Sequence, residues 1–360
     1  MSKAAELANL IGNINAGGGG VNRNVLINSA MEVSQRGTSF SDANGYTLDR
    51  FGYYRSGGGQ VTISQDTDTP PDFKNSLKIA VTTNDSSVTG GDYYILQQKI
   101  EGQNIAHFNY GSSDAKTTCL SFFVKSSVTG TYSGSLRNQA ADRSFVFEYT
   151  VSSANTWEQK SISIVGDNSG TWLTSNDTGI SLAFSLGQGT TYASSTVGSW
   201  HSGNYHGSTS EQDFIGNASA TFFITGVQLE VGQNPTSFEH EPFERTLNKC
   251  QRYTRIFKSD ESINTYSRIG IGVMQNANAG IAQVRLSPRM RATPSASTTG
   301  QLQAYNGTNL ANCDASMDNA SHPQLAEIVI SNSSGFSQKD VVELITDNAS
   351  GVIFELSSEL

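Results

Sequence analysis

Residues 221–253, TFFITGVQLEVGQNPTSFEHEPFERTLNKCQRY, decide the architecture. The first part alternates: Phe222 and Ile224, then Val227, Leu229 and Val231, keep one face apolar while Gln228 and Glu230 face away, the pattern of a half-buried strand. Gly232 and the pair Asn234-Pro235 end that strand, because proline fixes φ and donates no ladder hydrogen bond. From Phe243 the apolar spacing becomes Phe243, Leu247, Cys250, which is one face of a short helix. The stretch thus closes one β-domain and carries a helix across 243–252 into another. A chain of 360 residues exceeds what one core usually serves, so two domains are the natural division.

Composition supports strands over helices. Glycine numbers 35, charged residues make up 15% and Ser, Thr and Asn dominate the polar positions. Hydrophobic content of 36% with 9% aromatics still allows cores to form. The formal charge of −9 argues against a nucleic-acid surface or an anionic membrane, since both require a clustered positive field. No stretch approaches a membrane span, and the N-terminus, with Lys3 and Glu6, lacks the continuous apolar run of a secretory signal. Cys119, Cys250 and Cys313 are odd in number and far apart, which suggests neither a disulfide framework nor a metal knuckle.

Outward from the central stretch, Ser2 to Asn15 predicts a helix: Ser2 as N-cap, Glu6 near the positive end, and Leu7, Leu10, Ile11 and Ile14 as one stripe. So short a helix needs a partner. The glycines of Ala16 to Gly20 make it a tethered docking element, with packing onto its own first domain as the alternative. Residues 1–22 form this terminal element, and 23–242 the first domain. There, alternating runs such as Leu120, Phe122 and Val124, or Phe145, Phe147, Tyr149 and Val151, separated by Gly- and Asn-rich turns, predict a jelly roll or β-sandwich. Residues 253–360, with five strand-like runs and a polar meander at Gly300 to Ser321, predict a second, smaller β-sandwich. The fold class is all-β with a short N-terminal helix.

Three ordered groups of residues carry a resemblance. The opening, Asn24-Val-Leu-Ile-Asn-Ser-Ala-Met31, Gln35-Arg36-Gly37 and Leu48-Asp49-Arg50-Phe51, resembles that of carbohydrate-binding-like modules in bacteriophage tail-fibre proteins. The run Ser121 to Trp172, with Asn155-Thr-Trp157 and Gly170-Thr-Trp172, looks like the middle of such a module, and Gly226 to Gly232, Phe238-Glu-His240 and Cys250-Gln-Arg-Tyr253 look like its end. The N-terminal helix is similar to the starter helix of some marine phage appendages. Glu241 departs from the pattern, in which a basic residue often follows Phe-Glu-His. The resemblance implies a non-enzymatic virion protein of a tail or surface appendage, made in the host cytoplasm and assembled as a homotrimer. Its helix would grip other virion proteins and its module a host-surface glycan. A purely structural head or tail appendage is the alternative, and a tailspike polysaccharide hydrolase a further one.

One long polar excursion interrupts the strands, Gly187 to Asp213, and such loops are often functional. Sugar recognition needs flat aromatic faces together with amides, carboxylates or guanidinium groups for the hydroxyls. Tyr192, Trp200 and Tyr205 supply candidate faces, and His201, Asn204, His206 and Asp213 candidate polar partners. The competing expectation is that the aromatics only cover a sheet edge. Trp157 and Trp172 flank strands and are expected in the core. Glu239, Glu241 and Glu244 are close in sequence, but spacing alone does not make a glycosidase pair. No cofactor is called for; the alternative is a structural Ca²⁺ held by oxygen ligands at Asp66 to Asp72 or Asp167 to Asp177, where no EF-hand loop is present. An Asp49-Arg50 pair, or Arg50 to carbonyl contacts, would lock the first sheet.

Overall fold

A computed structural model describes residues 2–15, 22–259, 266–349 and 351–360. The linker expected at Ala16 to Gly20 lies outside these. The chain is all-β apart from short helices, and it divides into two compact units, one running to Thr246 and including Leu360, the other Leu247–Glu359. The division falls within the helix Phe243–Gln251.

The first unit is built around two large sheets. One has six strands in the order Ser39–Ser41, Gln60–Asp66, Ser76–Thr83, Thr221–Val231, Thr118–Ser126, Glu158–Ile164; the other has seven, Trp200–Ser202, Arg143–Val151, Gly130–Arg137, Thr178–Gln188, Tyr93–Glu101, Gly52–Arg55, Gly45–Tyr46. Alternation fixes which face of each strand is inside. Leu120, Phe122, Val124, Ile224 and Leu229 from the first sheet and Tyr132, Leu136, Phe145, Phe147 and Phe184 from the second belong to one buried cluster. Rings meet edge to face within it, Phe122 lying 5.0 Å from Phe184 and 4.9 Å from Tyr149. Two expectations need correction. Gln228 and Glu230 do not face solvent but are buried, because a bulge after Thr225 and a covering turn enclose them. Trp172 is in the core, but Trp157 lies half-buried on the outside of the six-stranded sheet, against Phe223 and bonded to Asp68.

The N-terminal helix, Lys3–Asn15, is capped by Ser2, whose Oγ accepts the Ala5 amide at 3.3 Å. It meets its own module through polar groups: Asn9 donates to the Pro235 carbonyl at 3.3 Å, and Ser237 bonds Glu6. The apolar stripe stays open, Leu7, Ile11 and Ile14 being 57%, 49% and 45% exposed. No helix among the described residues is long and apolar enough to cross a membrane.

In the second unit the expected smaller sandwich takes the form of a closed six-stranded barrel, Arg268–Met274, Gly280–Arg285, Leu325–Ser331, Leu310–Met317, Leu302–Tyr305, Val341–Thr346, beside a three-stranded sheet of Thr254–Lys258, Ile353–Ser357 and Ser295–Thr299. Closure follows from pairing the two strands of the polar meander, Leu302–Tyr305 and Leu310–Met317, into the ring, where their small inward residues Ala304 and Cys313 fit beside Leu344 and Ile328.

Candidate functional site

Two places in the first unit gather buried polar groups into networks. The first is the turn that follows Thr221–Val231. Glu230, 1% exposed, accepts hydrogen bonds from the Thr236 amide at 2.8 Å, the Thr236 hydroxyl at 2.8 Å and the Gln228 amide group at 3.0 Å, with Arg23 at 3.6 Å. Gln228 in turn accepts the Glu239 amide at 2.8 Å, and the Glu239 carboxylate holds the backbone amides of Asn22 and Asn24 at 2.7 and 3.0 Å. Asn24 then ties to Val227 and Leu229. Asn24, Gln228, Glu230 and Glu239, which carry the tail-fibre resemblance at both ends of the module, therefore meet in one hydrogen-bonded network, whose work is to join the first segment to the last strand. Glu241 pairs with Arg245 at 3.3 Å, one helical turn on. Near the opening motif, Asp49 accepts the Gln35 amide at 2.8 Å and Arg50 donates to the Lys99 carbonyl at 2.6 Å; Arg50 thus makes the expected carbonyl contact.

The second place is the outer face of the seven-stranded sheet. Ser133, Ser135 and Arg137 alternate with the core residues Tyr132 and Leu136, so they point outward. The excursion folds over this face as a flap rather than an irregular loop. Ala193–Ser194 pairs in parallel with Gly207–Ser208, and Trp200–Ser202 extends the sheet by pairing with Arg143–Val151. The flap is pinned by Gly198 to the Val146 carbonyl at 2.9 Å, Ser208 to Ser133 Oγ at 2.9 Å and Tyr205 to Ser144 Oγ at 3.1 Å.

Beneath and within the flap, the Tyr192 and His206 rings stack at 4.5 Å, both edge-on to Tyr93 at 5.3 and 5.0 Å. Asn204 Oδ1 accepts from Arg137 at 2.6 Å. Arg137 is 7% exposed, and burial pulls its pKa down to about 10. Burial, followed by the Arg137 charge, pushes His206 down to about 2, so its ring is neutral. Three buried polar atoms here have no partner: Arg137 Nε, Ser135 Oγ and His206 Nδ1. Beside them Glu211 bonds Ser133, Ser185 at 2.8 Å and Gln188 at 3.3 Å, and burial pushes its pKa up to about 8 against those bonds.

Of the residues expected in the loop, the structure brings Tyr192, Asn204 and His206 together around Arg137. Tyr205 and His201 form a neighbouring pair, ring centroids 5.0 Å apart, with His201 bonded to Ser194 at 2.9 Å. Trp200 is not an open stacking face. It packs against Trp172 at 5.1 Å, Phe145 at 5.4 Å and Tyr110 at 5.6 Å and donates to the Val165 carbonyl at 2.6 Å. Asp213 caps a turn by accepting the Gly216 amide at 3.0 Å. Arg137, Tyr93 and Ser135 escaped the sequence reading because they sit on strands, where nothing but alternation is visible.

The acidic groups are committed elsewhere. Glu239 and Glu241 hold backbone and Arg245 as described; Asp66 faces Lys78 at 3.3 Å, Asp68 pairs with Lys125, and Asp167 binds Arg143 through both oxygens at 2.7 and 2.8 Å. Among the described residues no group of three or more His, Cys, Asp or Glu side chains could hold a metal ion, and the three buried cysteines form no disulfide.

No protein-family model matches the chain, and no curated protein does either. Solved structures give distant likenesses. The enzymatically active domain of tailspike protein 4 from bacteriophage CBA120 is 14% identical with a TM-score of 0.32, over 58% of this chain and 21% of that one, so the match spans about a fifth of the tailspike domain. A family 11 carbohydrate-binding module from Clostridium thermocellum, in complex with a mixed-linked tetrasaccharide, is 14% identical with a TM-score of 0.28, over 56% of this chain and 97% of that one. A sugar-binding protein of Bacteroides thetaiotaomicron, so described on its crystal structure, gives 10% and 0.33, over 58% and 100%.

Proposed function

We propose that this chain is a non-enzymatic component of a phage virion, a tail fibre or surface appendage, that adheres to a host-surface glycan through the flap-covered face of its first module. The observation that carries the reading is the convergence of the Tyr93, Tyr192 and His206 rings with Asn204 and Arg137, among buried polar atoms that have no protein partner. Aromatic rings beside planar hydrogen-bonding groups are the chemistry that a pyranose requires. The phage assignment is supported by the ordered resemblance of Asn24 to Tyr253. Docking to other virion proteins, or assembly as a homotrimer, is supported by the open stripe of Leu7, Ile11 and Ile14. Adhesion that is weak per site would be strengthened by several copies on one particle.

A structural appendage without a ligand is the second reading, and it is favoured by Trp200, whose ring holds the flap to the sheet edge. The full chain displayed on beads, probed against an array of bacterial surface polysaccharides, separates the two. Adhesion predicts binding that falls at least about tenfold in Tyr192→Ala/Tyr205→Ala, with the melting curve retained. Equal binding by both proteins removes the flap from the account, and no binding by either leaves the structural appendage. Release of new polysaccharide ends during the assay would replace both readings with a hydrolase.

A further inference from the structure

Two arginines of the seven-stranded sheet, six positions apart in the sequence, are held in opposite ways. Arg143 gives its Nε and Nη2 to the two oxygens of Asp167, a planar fork on a carboxylate. Arg137 is buried to 7% exposure and has one neutral acceptor, Asn204 Oδ1. Its Nε has no partner, and the groups that act on its charge are the phenols of Tyr93 and Tyr192, with no carboxylate among them. Ser135 Oγ, two residues back on the same strand face, and Nδ1 of His206 are likewise buried and unpartnered. A charge withdrawn from water is costly unless an opposite charge or a full set of hydrogen bonds replaces the solvent. His206 is neutral, so the cluster holds a single positive charge.

We propose that this face takes the carboxylate of an acidic sugar, with Arg137 as the counter-charge, Ser135 and His206 as flanking polar contacts, and Tyr93 and Tyr192 bordering the ring. This rests on the glycan reading above and narrows it from sugars in general to uronic or other carboxylated residues. A carboxylate suits the site better than a phosphate. Arg143, on the same sheet, shows a guanidinium holding a carboxylate, that of Asp167, and one cation balances the single charge of a carboxylate, whereas a phosphate monoester carries nearly two. With a net charge of −9 the protein offers no general attraction for polyanions, so recognition must come from this local pairing.

The test uses the full chain on an array in which each carboxylated bacterial polysaccharide is printed beside its carboxyl-reduced counterpart and beside sulfated galactan. The expected result is binding to at least one carboxylated polymer that falls about tenfold to a hundredfold on carboxyl reduction and by a similar factor in Arg137→Gln. Equal binding to the reduced polymer, or binding confined to neutral or sulfated polymers, overturns the carboxylate assignment while leaving glycan adhesion standing. Binding to no polymer at all removes the glycan reading and this inference together. If Arg137→Gln fails to fold, the paired native and reduced polymers still decide the matter with wild-type protein.

Discussion

The turn after Thr221–Val231 and the flap-covered face of the seven-stranded sheet both bury charged side chains, yet they are built to opposite rules. In the turn every acceptor of Glu230 has a donor, and the chain of bonds runs on through Gln228 and Glu239 to Asn24. On the flap face, Arg137, Ser135 and His206 keep buried atoms that nothing in the protein satisfies. A carboxylate whose bonds are filled from within the chain specifies a fold, whereas unpartnered groups gathered around one buried charge suit a ligand. Asn24, Gln228, Glu230 and Glu239, which carry part of the family resemblance, lie in the first kind of place and report architecture. The residues argued to meet a ligand lie in the second.

The contrast is sharpest in the signs of mutational effects. The largest is expected at Glu230→Ala, which strands Arg23, Gln228 and Thr236 in a buried turn. A loss of roughly 3–5 kcal/mol is expected from breaking one side of such a network, read as a drop in the urea midpoint. A midpoint close to wild type would mean that the turn is dispensable and the comparison empty.

Next comes pH. Glu211 has an ordinary value near 4.5 when unfolded and about 8 when folded, because burial outweighs its bonds to Ser133, Ser185 and Gln188. The folded state therefore holds a proton that the unfolded state has released, and stability declines by roughly 1.4 kcal/mol per pH unit as pH rises from about 4.5 to about 8. Glu211→Gln should flatten that window in a series of thermal melts. An unchanged slope would place the proton elsewhere.

The smallest effect has the opposite sign to the first. Arg137→Met replaces an uncompensated buried charge with an apolar chain of similar reach and should raise stability by roughly 1 kcal/mol, a few degrees in melting temperature, at the expense of binding. A clear loss of stability would show that the Asn204 bond suffices and that Arg137 is structural.

Much of the first module was legible because its core faces alternate strictly: Leu120, Phe122 and Val124 are wholly buried, as their spacing implies. Alternation gives a face, not its surroundings, which is why Gln228 and Glu230 read as exposed although the later turn Thr236 to Glu239 covers them. Two barrel strands went unread because inward residues as small as Ala304, Cys313 and Ala315 leave no apolar signature. In the candidate site, an aromatic and polar loop pointed to Tyr192 and His206. The loop could not disclose that Trp200 would turn inward to meet Trp172, since that depends on the partner strand Arg143–Val151. Arg137 was invisible for a similar reason: only the flap folded over it makes an ordinary outward strand residue into a buried charge.

The most direct test of the central claim is to follow the arginine Nε–H resonances by NMR while titrating in a carboxylated oligosaccharide released from the polymer that binds best. The Arg137 signal should shift and gain protection from exchange, while that of Arg143, already held by Asp167, stays in place. Movement of other resonances with Arg137 unchanged would contradict the claim that the unsatisfied face is the binding face.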